Sequence, residues 1–161
     1  MAQSSLRAAR PAGKGGLPNL IFAVAAAERP PAELRGRVDE VSVLFPWGSL
    51  LRGALALDKA AAAGIAALVA AGGFVEAIVS VADRDAAALG ISPLEADDRS
   101  EIAQRWRRLG LELTDFRPAT TAEIEASRST WARRLLAGGG GGTRRSVWRI
   151  RLRCGEAPVP Q

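Results

Sequence analysis

Short apolar runs separated by turn residues divide the chain into alternating predicted strands and helices. Runs of this kind, bounded by Gly, Pro or polar residues, are typical of strands. They lie at residues 19–25, 38–45, 74–82 and 111–116. In a fifth predicted strand, residues 146–153, apolar side chains alternate with Arg149, Arg151 and Arg153. One face of that strand is therefore apolar and the other is charged.

Helix start and stop signals place helices between these strands. The predicted helices are residues 2–10, 48–57, 58–71, 92–109 and 120–137. Gly72 and Gly73 are expected to end the third helix, and Ser92 with Pro93 supplies an N-cap and first turn for the fourth. A capping box of Thr120 and Glu123 opens the fifth.

Strands that alternate with helices predict an α/β domain with a mostly parallel sheet. The last strand follows a run of five glycines at residues 138–142 and has one charged face. These features favour an antiparallel strand at the edge of the sheet. We expect one domain over residues 1–154 and a disordered tail over residues 155–161.

Basic residues are in excess and are concentrated near the C-terminal end. The formal net charge is +5 and the sequence pI is about 10.8. From Ser127 to Cys154 the chain has eight arginines and no Asp or Glu. Such a local asymmetry indicates an anionic partner such as nucleic acid. The alternative is a solvated basic strand that resists aggregation.

The composition excludes several classes of site. Histidine is absent, and Cys154 is the single cysteine. An internal disulfide, a cysteine-rich zinc site and a His-dependent catalytic triad are therefore excluded, and we expect no metal. No apolar run reaches the length of a membrane span, and residues 1–16 lack a signal-peptide core. We expect a cytoplasmic protein without a membrane partner.

Two segments carry candidate chemistry. The first is Pro46-Trp47, directly after a predicted strand, where ligands bind in open α/β sheets. The second surrounds Trp131, which Arg128, Arg133 and Arg134 flank. An aromatic ring among arginines suits a stacked base and its phosphates. In each case the alternative is a tryptophan that belongs to the core.

These segments together resemble the aminoglycoside-resistance 16S rRNA (adenine-1408) N1-methyltransferases. The resemblance runs from about Arg7 to Arg153. Its most specific parts are GGLPNLIFAVAAAE followed by VLFPWGSLLRG, and then STWARRL and RRSVWRIR. It implies a class I Rossmann-like methyltransferase fold that uses S-adenosyl-L-methionine (SAM). In the full-length form, the implied function is N1-methylation of adenine-1408 in the 16S rRNA decoding site and aminoglycoside resistance.

The resemblance also implies roles for individual residues. Pro46, Trp47 and Trp131 match the residues that hold the flipped target adenine, and Ser129 matches one that orients it. The cofactor is implied to contact Ala26, Ala27, Glu28, Ser49 and Leu50. Basic residues near the last helix and strand are implied to bind rRNA phosphates; the candidates are Arg128, Arg133, Arg134, Arg144, Arg145 and Arg149. The implied partner is the 30S subunit, bound by a monomer.

The chain departs from the family pattern at its N-terminal end. The first two strands and the glycine loop of a complete methyltransferase are not found in the sequence. We therefore expect an incomplete fold and poor solubility. The chain is also expected to be inactive and to bind SAM weakly, because the glycine loop normally approaches the cofactor. Two alternatives to an active enzyme stay open: an inactive remnant, and an RNA-binding α/β module.

Overall fold

A computed structural model describes Leu6 and residues 10–17, 19–82, 88–136 and 145–156. Short 3-10 helices lie at Ala12–Lys14, Ala32–Leu34 and Ala96–Asp98. The strands and α-helices of the described part follow in chain order: β1 (Val38–Leu44), α1 (Ser49–Ala54), α2 (Lys59–Leu68), β2 (Val69–Ala82), α3 (Arg99–Arg107), β3 (Leu111–Pro118), α4 (Thr121–Ala126), α5 (Thr130–Leu136) and β4 (Arg145–Cys154).

The four described strands form one mixed sheet in the order β1-β2-β4-β3. β1 and β2 are parallel, and β4 is antiparallel to both of its neighbours. Three strands therefore run in one direction, and the prediction of an antiparallel last strand is confirmed. Its predicted place at the edge is wrong, because β4 pairs with β2 on one side and with β3 on the other. Of the arginines that suggested an edge, Arg149 contacts Glu76 and Asp115 within the sheet, and Arg151 lies over the Phe74 ring.

The hydrophobic core lies between one face of this sheet and helices α1 to α3. Val43, Val79 and Ile150 point into it from three strands and are almost fully buried. Trp106 of α3 is completely buried, and its indole Nε1 donates to the carbonyl oxygen of Ala54 at 3.3 Å. Trp106 therefore belongs to the core. The indole N–H thus has a hydrogen-bond partner although the ring lies within the apolar layer.

The other face of the sheet is polar and only partly covered. Glu40 and Ser42 of β1 are exposed there, and Glu76 of β2 is half-buried. Helix α4 reaches this face through Glu123, which pairs with arginines of β3 and β4. Alternation along the strands separates the two faces, as expected for side chains that point to opposite sides in turn. The polar face lies beside the candidate site.

The predicted strand over residues 19–25 is wrong. The structure gives this segment no strand, and Ile21 and Val24 are 90% and 82% exposed. A strand is stable only when a neighbouring strand forms hydrogen bonds with its backbone N–H and C=O groups. Within the described part of the chain no strand pairs with this segment, and β1 pairs only with β2. An apolar run alone therefore does not make a strand.

Several helix boundaries differ from the predictions; α1, for example, ends at Ala54 instead of at residue 57. Helix α2 ends at Leu68, and Gly72 and Gly73 belong to β2. A side chain at Gly73 would come within 2.9 Å of the Asp39 carbonyl oxygen, so glycine is needed for the close approach to β1. The fourth predicted helix begins at the 3-10 turn Ala96–Asp98, with Glu95 as its cap, instead of at Ser92.

The fifth predicted helix is divided into α4 and α5, because Arg128 adopts a φ of 50°. The capping box of Thr120 and Glu123 at its start is confirmed. The predicted helix over residues 2–10, apart from Leu6 and Arg10, and the glycine run at 138–142 lie outside the described residues. The described C-terminal end continues to Glu156, and the Gly155 carbonyl accepts from the Gly72 N–H at 3.0 Å.

Candidate functional site

The turn after β1 is strained and presents a tryptophan to solvent. Phe45 has a φ of 48°, and its N–H donates to the Ile78 carbonyl at 2.7 Å. A bulky residue with positive φ is rare, and the proline that follows restricts it further. Pro46 is buried, whereas Trp47 is 62% exposed. This exposure argues against the alternative that Trp47 caps the core, and local strain of this kind is common at functional sites.

The turn between α4 and α5 positions the second tryptophan through serine hydroxyls. The Ser127 hydroxyl donates to the Ile124 carbonyl at 2.6 Å and accepts from the Ser129 N–H at 3.3 Å. The Ser129 hydroxyl accepts from the Trp131 N–H at 3.2 Å and so caps the start of α5. Trp131 is 38% exposed. Ser129 therefore acts on Trp131 through the backbone.

The residues that lead into these two turns line one pocket. The pocket has a volume of about 240 Å³, and both Leu44 and Ser127 line it. Leu44 ends the strand that leads into Pro46, and Ser127 begins the turn that leads to Trp131. Segments more than eighty residues apart in the sequence thus share the rim of one pocket. Both turns contain a non-glycine residue with positive φ, Phe45 in the first and Arg128 in the second.

A cluster of charges lies under the α4–α5 turn. The Arg149 guanidinium contacts Glu76 at 2.6 Å, Asp115 at 2.7 Å and Glu123 at 3.5 Å. Arg117 contacts the same Asp115 at 3.2 Å and Glu123 at 2.5 Å. The hydrogen bond from Arg117 lowers the pKa of Glu123 to about 2, and backbone and side-chain bonds from the capping box add to this. Glu76 and Glu123 hydrogen bonds raise the pKa values of Arg149 and Arg117 respectively.

This cluster bears on the predicted RNA-binding residues. Arg149 is held by three carboxylates and its side chain is only 15% exposed, so the geometry favours a structural role. Arg128, Arg133 and Arg134 are exposed on the α4–α5 turn and α5. Arg145 starts β4 and pairs with Ala82, and the structure describes only its backbone. Arg144 lies outside the described residues.

The predicted cofactor residues lie on two segments. Ala26 is exposed, and Ala27 and Glu28 are half-buried. A side chain at Gly64 of α2 would come within 1.7 Å of the Ala27 carbonyl oxygen, so this glycine allows the segment to lie against the helix. In the first turn of α1, the predicted residues are the exposed Ser49 and the half-buried Leu50.

A model of one methyltransferase family matches most of the chain. This family is described as NpmA, 16S rRNA (adenine(1408)-N(1))-methyltransferase, and the match covers residues 1–148. The chain belongs to this family. It is 38% identical over 139 residues to the 16S rRNA (adenine(1408)-N(1))-methyltransferase of Streptoalloteichus tenebrarius, which covers 84% of this chain and 64% of that relative. The chain thus spans less than two thirds of the length of this curated relative.

Solved structures agree with this family membership. The chain matches 16S rRNA methyltransferase KamB with a TM-score of 0.77 and 31% identity, over 96% of this chain and 72% of the other. It also matches a mutant of the 16S rRNA (adenine(1408)-N(1))-methyltransferase from Catenulisporales acidiphilia with the cosubstrate SAM. That match has a TM-score of 0.78 and 30% identity, and covers 100% of this chain and 73% of the other. The α/β methyltransferase-like fold with a mixed sheet is confirmed.

The residues predicted to contact SAM include side chains whose chemistry suits that cofactor. The Glu28 carboxylate and the Ser49 hydroxyl are polar groups suited to an adenosine or amino-acid moiety, and Leu50 offers apolar surface. In the described part of the chain, no group of three or more His, Cys, Asp and Glu side chains is placed to hold a metal ion. No helix among the described residues has the length and apolar character needed to cross a membrane.

Sequence patterns missed the charge cluster of this methyltransferase-family chain. Glu123 was identified only as a helix cap, and Arg117 and Asp115 were not identified at all. The capping box was a visible signal for the position of Glu123. Its pairing with Arg117 and Arg149 depends on the register of β3 with β4, which places Arg117 opposite Arg149. Such a register is a tertiary property and leaves no local mark in the sequence.

Proposed function

We propose that this chain provides the adenine-binding side of a SAM-dependent methyltransferase that acts on N1 of adenine-1408 in 16S rRNA. One observation supports this most directly. The residues that lead into the Trp47 turn and the Trp131 turn, Leu44 and Ser127, line the same pocket, and both tryptophans are exposed. Large exposed aromatic side chains that follow pocket-lining residues within a few positions of the chain suit a stacked base, because every base has a π face.

The proposed chemistry needs positioning more than proton transfer. Adenine N1 has a lone pair, so no general base is required, which agrees with a sequence without histidine. SAM, when bound, supplies a methyl group activated by a sulfonium. N1 lies on the Watson–Crick edge, so the adenine must leave its stack and pair before it reacts.

Trp47 and Trp131 are proposed to replace the stacking that the flipped adenine loses. Each base–aromatic stack contributes roughly 1–3 kcal/mol. The two π faces also stabilise the positive charge that develops on the adenine ring as its N1 is methylated. Pro46, buried beneath Trp47, fixes the turn, and Ser129 holds Trp131 by capping α5. Holding the base in a reactive orientation is itself a large source of rate acceleration.

RNA docking is proposed to use the arginines near the second tryptophan. Arg128, Arg133 and Arg134 are exposed around Trp131. Arg144 and Arg145 follow in a sequence region without acidic residues and are proposed to extend the same basic surface. The proposed partner is 16S rRNA in the 30S subunit, and contacts of this kind recognise phosphates without reading the base sequence.

Methyl transfer to 30S subunits tests this proposal. The purified chain is incubated with 30S subunits and radiolabelled SAM, and primer extension locates any modified adenine. The proposed function predicts label at adenine-1408, whereas the inactivity expected from the sequence predicts none. Trp47→Ala and Trp131→Ala should each remove any label and weaken 30S binding by no more than about tenfold, because each removes one base–aromatic stack. Trp106→Phe is the matched control, since Trp106 lies in the core. Binding of 30S subunits without methyl transfer would identify an RNA-binding protein instead, and loss of folding in both alanine variants would assign the tryptophans to structure.

A further inference from the structure

We propose that Glu123, held by Arg117 and Arg149, is a positioning residue that sets the place of the α4–α5 turn and therefore of Trp131. We call these three residues the ion-pair anchor. The inference rests on the proposed function in one respect, namely that Trp131 stacks on the target base. The anchor itself is argued from contacts in the structure. The family match assigns no role to Glu123 or Arg117, and the sequence pattern identifies Glu123 only as a helix cap.

Helix α4 has few other attachments to the rest of the molecule. It contains six residues, Thr121–Ala126, and only Ile124 is buried. A helix of this length is not stable by itself, because nucleation is unfavourable and few hydrogen bonds repay it. Its position on the sheet therefore depends on the packing of Ile124 and on the ion pairs of Glu123. Glu123 also closes the capping box, so the same carboxylate starts the helix and attaches it.

A continuous series of hydrogen bonds connects the anchor to Trp131. One turn of α4 after Glu123, the Ser127 N–H donates to the Glu123 carbonyl at 3.2 Å. The Ser127 hydroxyl then joins the Ile124 carbonyl to the Ser129 N–H, and the Ser129 hydroxyl caps α5 at the Trp131 N–H. The backbone between Glu123 and Trp131 is thus fixed locally. A displacement of Glu123 should be passed on to the indole ring.

The other ion pairs of Arg149 and Arg117 allow Glu123 to be substituted without unfolding the sheet. Arg149 also contacts Glu76 and Asp115, and Arg117 also contacts Asp115. These contacts join β2, β3 and β4 and persist when Glu123 is neutralised. Loss of the Glu123 charge should therefore release α4 and leave the strands paired. Glu123 retains its charge at neutral pH because its pKa is about 2.

Acrylamide quenching of Trp131 fluorescence tests the anchor in the full chain. The Trp131 signal is taken as the difference between each variant and its Trp131→Phe counterpart. We expect Glu123→Gln to make Trp131 more accessible to acrylamide and to leave quenching of the core residue Trp106 unchanged. Glu125→Gln is the matched control, because Glu125 is an exposed carboxylate on the same helix. That control should behave as the parent protein does.

Binding to 30S subunits gives the functional readout. Glu123→Gln should weaken binding about tenfold, a fold-change in the range expected when one base–aromatic stack is lost or misplaced. If the parent protein does not bind 30S subunits, the proposed function fails, and the Trp131 quenching still decides the anchor. Equal quenching in Glu123→Gln and Glu125→Gln would overturn the anchor whatever the RNA result.

A second variant covers the case in which Glu123→Gln does not fold. Arg117→Gln removes one arm of the anchor from a partly exposed position and keeps the capping box intact. It should show the same change in Trp131 quenching, with a smaller amplitude, and a thermal unfolding midpoint close to that of the parent. Unchanged quenching in a folded Arg117→Gln protein overturns the proposal.

Discussion

At the scale of single residues, the candidate site depends on tryptophans whose exposure differs from that of the other tryptophans in the chain. Trp47 and Trp131 are exposed, whereas Trp106 and Trp148 are buried, and Trp148 stacks on Phe116 with ring centroids 4.6 Å apart. The four tryptophans thus divide into two core residues and two exposed residues. Only the exposed ones follow strained or capped turns.

The titration of Glu123 leads to a prediction about stability at low pH. Its pKa is lowered from 4.5 to about 2 in the folded protein, chiefly by the hydrogen bond from Arg117. A lowered folded-state pKa stabilises the fold above the unfolded value and loses that contribution as the pH falls through the folded value. The contribution of Glu123 is therefore fully present above pH 4.5 and is lost between pH 4.5 and about 2.

Thermal unfolding measured across this pH range tests the assignment. The midpoint of the parent protein should fall more steeply below pH 4.5 than that of Glu123→Gln, because glutamine does not titrate. At neutral pH the parent should be the more stable of the two. Glu125→Gln is the control for the loss of any carboxylate. Its unfolding midpoint should fall with pH as steeply as that of the parent protein. Parallel curves for all three proteins would refute the role of Glu123 in acid sensitivity.

At the scale of elements, the sheet and the two short helices have different kinds of support. The strands are joined by pairing along their length and by a buried apolar layer, whereas α4 and α5 each bury a single residue, Ile124 and Ala132. Elements with few buried contacts open most easily. The segment proposed to hold the adenine is therefore supported by fewer buried residues than the strands are.

The exposed face of α5 carries a prediction about RNA docking. Arg134→Glu should weaken 30S binding and reduce the slope of log affinity against log salt by about 1, as expected for the loss of one phosphate contact. Arg107→Glu makes the same charge change at an exposed position of α3, which packs on the opposite face of the sheet. Filter binding at several salt concentrations measures both. An equal effect of the two substitutions would point to net charge alone.

At the scale of the whole molecule, apolar surface remains exposed near an open sheet edge. β1 is an edge strand of the described sheet, and Leu44 at its end is 41% exposed. Exposed apolar residues also cluster in the segment before it; they are Leu17, Leu20, Ile21, Phe22 and Val24. Open edges and contiguous apolar patches favour association between chains. This surface opposes the prediction of a monomer, which is made from the family resemblance.

We predict that the purified chain self-associates in a concentration-dependent manner. Replacing both Ile21 and Val24 by Lys should reduce the association and leave the thermal midpoint unchanged, because these side chains make little packing contact. Gln104→Lys together with Ala63→Lys adds the same charge at exposed helix positions and is the control. Light scattering after size exclusion provides the measurement. A parent protein that stays monomeric over a wide concentration range contradicts the prediction.

The sequence alone determined the features that local patterns encode. Residues 38–45 and 111–116 were recognised as strands by their apolar alternation, and the capping box at Thr120 was recognised from two residues at fixed spacing. Family membership followed from contiguous motifs around Trp47 and Trp131. These patterns can be recognised in the sequence because each depends on a few neighbouring residues, whose local geometry determines the secondary structure.

Only the tertiary structure decided features that require a partner distant in sequence. The apolar run at residues 19–25 resembles a strand locally but has no neighbouring strand in the described chain to bond with, so it remains irregular. β4 has a charged face that favours an edge, yet it is central because it pairs with both β2 and β3. There Arg149 meets Glu76, Asp115 and Glu123 from three other elements. Strand pairing and ion pairing are non-local, and the sequence therefore specifies them only through the fold as a whole.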